Sequence, residues 1–286
     1  MTAISKDMAL TPSAGPCLSY PLHGLHVIVT GGSGGIGGGI ARALVSAGAK
    51  VAILSRNPPE KWHEPPPLDW PCANWISCDL NDLVGTKLAL TKYLDEAPPP
   101  DVLVHSAVDY GVGGRKSFEQ TVFDEWLQMF NVNVHAPFLL TSVMLPYLKG
   151  RPKALVLFIS SEVVFNAGPH RVAYAATKSA LHGTMSGLAK EVEGTGLSVV
   201  GVLPEMMIDT PGIRRRRPEG FDYSGYSEPS DFANSTMALI ARLGAGDNGK
   251  SLIVRASGDL VQVGDFSAPS QSRPLADDRT AAGVGK

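Results

Sequence analysis

Apolar residues in this chain fall into short runs separated by longer amphipathic stretches. His26–Thr30, Lys50–Leu54, Asn74–Cys78, Val102–Ser106, Ala154–Ser160, Leu197–Leu203 and Ser251–Val254 are strand-length. Between them the spacing predicts helices over Gly37–Gly48 and over 81–97, 121–149, 172–194 and 230–243. Apolar strands alternating with helices imply a parallel sheet covered on both faces. Right-handed crossovers then give a single-domain, doubly wound α/β fold of about seven strands. The small residues Gly38, Gly39, Ala41 and Ala43 of the first helix predict close packing on that sheet.

One interval breaks the alternation. Asn57–Pro71 holds Pro58, Pro59, Pro65, Pro66, Pro67 and Pro71, a density that no helix interior tolerates. An irregular loop or single turn is expected there in place of a crossover helix. The ends lack periodicity as well: residues 1–22 carry Pro12, Pro16 and Pro21, and residues 261–286 are dominated by Ser, Pro, Ala, Gly and charge. Both read as flexible extensions of a domain covering 23–260.

A chain of 286 residues suffices for one large core. Its 25 basic and 27 acidic residues nearly cancel, which speaks against a nucleic-acid partner. The most apolar runs are far too short to span a membrane. Cys17, Cys72 and Cys78 show no disulfide or metal-ligand spacing, so no metal is expected and a reducing compartment fits. No basic segment leads into an apolar core at the N-terminus, and the expected location is cytoplasmic.

Two motifs carry chemistry. Thr30-Gly31-Gly32-Ser33-Gly34-Gly35-Ile36-Gly37 follows an apolar strand and opens a helix. In that setting Gly31 allows a tight turn, Gly35 and Gly37 let the backbone approach a pyrophosphate, and the helix N-terminus offers free N–H groups. Ser33 and Ile36 complete the turn's share of a dinucleotide site. After the second strand, Ser55-Arg56 stands where a free ribose would meet an acidic residue; the guanidinium suits a 2′-phosphate, so NADP is expected rather than NAD. Asp79 and Leu80 follow the third strand and are candidates for the adenine edge. Far downstream, Tyr174 and Lys178 are four residues apart, on one face of a helix. A nearby ammonium stabilises a phenolate, and with a dinucleotide at hand the pair reads as proton transfer beside hydride transfer.

From roughly His23 to Asp259 the chain resembles the short-chain dehydrogenase/reductases, a Rossmann-fold family, through Thr30–Gly37, Asn133, Ser161, Tyr174 and Lys178 in that order. Asn133 lies in Trp126-Leu-Gln-Met-Phe-Asn-Val-Asn133, where the spacing from Trp126 selects it over Asn131; Ser161 precedes Tyr174 by thirteen residues. The resemblance implies that Tyr174 donates and accepts the proton, Lys178 holds the nicotinamide ribose and lowers the phenol's pKa, and Ser161 binds the substrate oxygen. Asn133 would order a water that relays protons to Lys178. Asn133, Tyr174 and Lys178 also border the cofactor. Ser106 and Ala107 would offer backbone groups to the adenosine ribose, while Pro204 and Thr210 would flank the nicotinamide. The chain departs from the family pattern at Val108 and at Glu205, which is expected near the nicotinamide, and Thr210 comes one residue late.

The loop 206–226 is expected to cover the site, starting with the apolar Met206, Met207 and Ile208. Arg214–Arg217 reads either as a contact for a carboxylate, phosphate or carrier protein or as a solvated charge run. His170 has a substrate contact or a plain surface position open to it, whereas His105 and His135 are assigned to packing. Asp109, Tyr110 and Gly111–Gly114 are candidates for another wall. Phe138, Leu139, Leu140, Leu181 and Met185 give their helices apolar residues beyond one stripe, which predicts a homodimer or homotetramer. The function expected is reduction of a carbonyl, or oxidation of the secondary alcohol, on a hydrophobic small molecule such as those of secondary metabolism. A redox-neutral isomerase, dehydratase or cyclase, and a non-catalytic NADP sensor, are the alternatives.

Overall fold

The structure, a computed structural model, describes residues 22–58, 61–62, 73–112 and 115–263. Eight strands form one sheet in the order β3-β2-β1-β4-β5-β6-β7-β8. They are β1 His26–Thr30, β2 Lys50–Ser55, β3 Ala73–Ser77, β4 Val102–His105, β5 Ala154–Ile159, β6 Leu197–Pro204, β7 Ser251–Val254 and β8 Leu260–Gln262. All neighbours are parallel except β7 and β8, which pair antiparallel. The seven parallel strands are those expected. β8 is an addition, and the boundary drawn after residue 260 falls inside it.

Why the strands read as continuous apolar runs is plain from their neighbours. Successive side chains point to opposite faces, and both faces are covered. Val27, Val29, Val51, Ile53, Val102, Val104, Leu155 and Leu157 face one core, shared with helices α1 (Gly35–Ser46) and α7 (Pro229–Ala241). Ile28, Ala52, Leu54, Leu103, Val156 and Phe158 face the other. That side is covered by α2 (Leu83–Glu96), α4 (Ala136–Lys149) and α5 (Val172–Glu191). α3 (Phe123–Phe130) leads into α4, and the four-residue α6 (Pro211–Arg214) lies after β6.

One of the small residues of α1, Gly39, acts differently from expectation. A Cβ on Gly39 would stand 2.7 Å from the Pro229 carbonyl, so this glycine admits α7 rather than the sheet. The helix forecast over 121–149 is one rod with an insertion. Asn131–His135 forms a π-helical turn between α3 and α4, and its extra residue per turn points Asn133 into the protein. Leu140, Leu181 and Met185, expected on an external apolar face, are buried in the core because the sheet takes a broad face of each helix; Phe138 alone of the five is exposed, at 62%. His135 is exposed, not packed, and bonds Asn131; His105 is buried as expected.

Of the proline-rich interval, Asn57, Pro58, Lys61 and Trp62 are described: the Trp62 indole donates to the Asn57 carbonyl at 2.7 Å. The rest lies outside the described residues, as do 1–21, Gly113, Gly114 and 264–286. Leu22 is buried against the core. No described helix is long and apolar enough to cross a membrane. Among the described residues no group of three or more His, Cys, Asp or Glu could hold a metal ion.

Candidate active site

A cleft of about 2960 Å³ opens along the carboxyl ends of the strands. This is where a doubly wound sheet binds ligands, at the point between β1 and β4 where strand order reverses. Its volume exceeds what a single drug-sized molecule needs and has room for a dinucleotide with a second ligand. Every cofactor-site candidate except Asn133 lines it, including Gly31, Ser33, Gly35, Ile36, Gly37, Ser55, Arg56, Asp79, Leu80, Ser106, Ala107, Pro204 and Thr210. Ser161, Tyr174 and Lys178 line it too, whereas Asn133 sits behind the wall.

At the glycine turn the backbone comes too close for side chains. Gly31 has φ +68°, and a Cβ there would meet the Ala107 Cα at 2.7 Å; one on Gly37 would meet the Gly31 carbonyl at 2.6 Å. Gly34, the residue before α1, is extended and provides no side-chain cap, and the first turn holds no acidic residue. The first N–H groups of α1 are thus free to bind an anion. Thr210 lies across the turn, its methyl 3.4 Å from where a Gly35 Cβ would be, and its hydroxyl caps α6 by accepting from Ile213 N–H. Arg56 is exposed at the end of β2 and forms no hydrogen bond or ion pair among the described residues. The residues present therefore fit a dinucleotide with a 2′-phosphate.

One corner differs from the expectation. The amide groups of Ser106 and Ala107 donate to the Thr30 hydroxyl at 3.1 and 3.2 Å, so the backbone groups left at this corner are carbonyls. Thr30 was missed as a site residue, although its place directly before the glycine turn marks it. Glu205 lines the same cleft, is exposed and pairs with Arg255 at 3.5 Å, which ties it to the end of β7.

At the other end of the cleft, α5 brings Tyr174 and Lys178 onto one face, with the Lys178 Nζ 5.9 Å from the Tyr174 ring centre. Lys178 is buried and its Nζ donates to the Ile159 carbonyl at 2.8 Å. Burial lowers its pKa from 10.5 to about 8. The Tyr174 phenol is pushed well above its usual range by burial first and then by the neighbouring Tyr110 hydroxyl; a Ser161 hydrogen bond and the Arg216 charge oppose this. In the chain by itself, then, the phenol holds its proton, and Ser161 and Arg216, not Lys178, are the groups that oppose the upward shift.

Asn133 is the residue whose position most revises its expected part. Its Nδ2 donates to the Asp109 carbonyl at 2.8 Å and to the Thr177 hydroxyl at 3.1 Å, while its Oδ1 accepts from Asp109 N–H at 2.7 Å. Both amide donors are spent, and the side chain can only accept one further bond. It staples the π-helical turn to α5 and to the segment after β4. That wall is locked further by Asp109, which accepts from Gly111 N–H and from Gln128 at 2.7 Å each, and by Glu125, which takes Val112 N–H and Lys116. Thr177 and Glu125 escaped the sequence reading. Thr177 directly precedes Lys178, but only the fold reveals its partner. His170 is exposed on the cleft margin with φ +60°, unusual for a residue with a side chain.

A family model described as short chain dehydrogenase matches residues 25–219. A short chain dehydrogenase from Pseudocercospora fijiensis is 34% identical over 178 residues, covering 62% of this chain and 57% of that protein. A 3-dehydrosphinganine reductase from Arabidopsis thaliana is 32% identical over 211 residues, covering 71% and 61%. The matched region thus spans less than two thirds of either relative. Among solved structures, a blue fluorescent protein from a metagenomic library, in complex with NADPH, superposes with a TM-score of 0.69 at 27% identity, covering 82% of this chain and 98% of that one. With the family model spanning most of the described sheet, the chain belongs to the short-chain dehydrogenase family.

Proposed function

We propose that the protein is an NADP(H)-dependent oxidoreductase that reduces a carbonyl on a hydrophobic small molecule, or oxidises the corresponding alcohol. The observation that carries this is Tyr174 beside Ser161 and Lys178 at one end of a cleft whose other end is a glycine turn with Arg56 at its margin. NADPH, when bound, supplies the hydride. Ser161, Tyr174 and Lys178 form the catalytic group, Asn133 positions the wall behind them, and the glycine turn, Arg56 and the remaining lining residues form the cofactor site. Ser161 hydrogen-bonds the substrate oxygen, and Tyr174 gives it a proton as the carbonyl carbon gains hydride. The phenol carries its proton at neutral pH, the form that can donate to the substrate oxygen in a reduction. Lys178 is positioned to hold ribose hydroxyls and to place positive charge near the phenolate left behind.

Met206 and Met207 expose apolar surface at the entrance, and Phe165 and Tyr226 add aromatic area, which supports a hydrophobic substrate. The relative named as a 3-dehydrosphinganine reductase and the neighbour holding NADPH agree with carbonyl reduction and with the cofactor. The proposal includes a homodimer or homotetramer, with exposed Phe138 and half-exposed Tyr147 of α4 available to a second copy, and a cytoplasmic setting. The alternatives have no comparable support. Glu205, which with Val108 is the motive for a redox-neutral reaction, is engaged by Arg255, and a sensor has no use for a Tyr–Lys pair at the cleft wall.

NADPH consumption with a panel of ketones tests this reading. Tyr174→Phe keeps the ring and removes the donor, so folding and NADP binding should survive while turnover falls by about two to four orders of magnitude. Wild-type turnover in Tyr174→Phe would show that another group supplies the proton.

A further inference from the structure

The four arginines that follow β6 are not equivalent. Arg214 is held by Asp209 through both carboxylate oxygens and lies 4.7 Å over the Tyr223 ring. Arg217 donates to the Tyr226 hydroxyl from Nε at 3.3 Å and from Nη2 at 2.9 Å. Arg215 is exposed. Arg216 turns into the cleft: its guanidinium carbon stands 3.7 Å over the centre of the Tyr110 ring, and its Nε donates to the Gly212 carbonyl at 2.8 Å. Its Nη2 is buried and has no hydrogen-bond partner among the described residues.

The nearby carboxylates are committed elsewhere: Asp109 to Gly111 N–H and Gln128, Glu125 to Lys116, Glu162 to Arg171, and Glu205 to Arg255. Arg171 also has an unpartnered buried nitrogen, Nε, but Glu162 already neutralises its charge. Arg216 is different, because it keeps a full positive charge and an unused N–H within the cleft. Such a donor is costly to bury and gains a strong, charge-assisted bond from an anionic oxygen. Tyr110 clamps the guanidinium plane on one side and packs on Tyr174 on the other, with ring centres 4.9 Å apart.

We propose that Arg216 is a specificity residue that binds a carboxylate on the substrate, several carbons from the carbonyl that Tyr174 protonates. One guanidinium with an unpartnered nitrogen at the cleft wall suits a singly charged, planar pair of oxygens. The Tyr110 ring sets the spacing between the anion and the reacting carbon, and the apolar Met206 and Met207 suit the connecting chain. The four-arginine run thus divides into residues that brace the loop and one that reads the ligand. This inference rests on the oxidoreductase reading of the same cleft and narrows its substrate class to oxo acids.

The test uses the full-length chain with 4-oxopentanoate, 6-oxoheptanoate and 8-oxononanoate, each beside its methyl ester. Wild type should show a higher kcat/KM for at least one acid than for its ester. Arg216→Met should lower that acid-to-ester ratio about 10- to 100-fold, mainly through KM, as loss of a charged hydrogen bond implies. Arg216→Lys, which keeps the charge without the fork, should fall between them, and it carries the test if the Met variant does not fold. Esters preferred at every length, or a ratio unaltered by both substitutions, would overturn the proposal. Should no ketone be reduced, the oxidoreductase reading fails, and calorimetry of the same acids decides the arginine separately. Acid binding that depends on Arg216 supports the subsite; acid binding that is absent, or the same in the variants, removes it.

Discussion

Asn133→Ala is the substitution whose effect follows most directly from the geometry. Asn133 is 1% exposed and makes three side-chain hydrogen bonds, two with the Asp109 backbone and one with Thr177. Each is worth about 0.5–1.5 kcal/mol net. The expected loss is about 2–4 kcal/mol, or roughly 4–16 °C in Tm for a domain of this size. Asn133→Asp sharpens the argument. It keeps the acceptor for Asp109 N–H but sets an oxygen against the Asp109 carbonyl, where a donor stood at 2.8 Å. It should therefore be destabilised at least as much as the alanine variant at neutral pH. Urea and thermal unfolding measure both, and ketone reduction well below the midpoint reports the knock-on effect, because the stapled segment carries Tyr110 onto Tyr174. An alanine variant within about 0.5 kcal/mol of wild type, or an aspartate variant more stable than the alanine one, would refute the staple and return Asn133 to a purely relaying part.

Cofactor choice should depend on Arg56: Arg56→Ala is expected to weaken NADPH about 10- to 100-fold and NADH less than about threefold, measured by fluorescence titration, and equal losses would contradict the assignment. The pH profile of kcat/KM for reduction, which reports the free enzyme, should fall as pH rises through about 8, because Lys178 loses its proton there while the Tyr174 phenol keeps its own; a flat profile to pH 10 would remove Lys178 from the reaction. Gly37→Ala would put a methyl 2.6 Å from the Gly31 carbonyl and should cost NADP at least about tenfold in affinity and roughly 1–3 kcal/mol in stability, whereas wild-type NADP affinity in this variant would rule out close approach at the turn.

The sequence by itself determined the architecture and the motif positions. Ala154–Ile159 is apolar at every position, and Val102–His105 at all but its last, because both sheet faces are covered, and that pattern is visible without coordinates. Tyr174 and Lys178 share a face because a helix repeats every 3.6 residues, and Gly31 marks a turn because a positive φ suits glycine. All of these are local consequences of backbone geometry. The antiparallel β8 was not legible, since three residues of mixed burial carry too little pattern.

Only the tertiary structure decided which donors remain free. Arg214, Arg216 and Arg217 are the same residue type within four positions, yet Asp209, Tyr110 and Tyr226 give them three different tasks. Asn133, expected to order a water, meets Asp109 and Thr177 across 24 and 44 residues of sequence. The backbone of Ser106 and Ala107 is expected to serve a ribose, and Thr30, 76 and 77 residues away, takes their amide groups and leaves the carbonyls for that part. Hydrogen-bond satisfaction and burial are sums over neighbours from distant segments, and no local pattern encodes them. The pKa of Tyr174 belongs with them. Helical spacing brought Lys178 near, but the mass of protein around the phenol, together with Tyr110 from the segment after β4, set the direction of its shift.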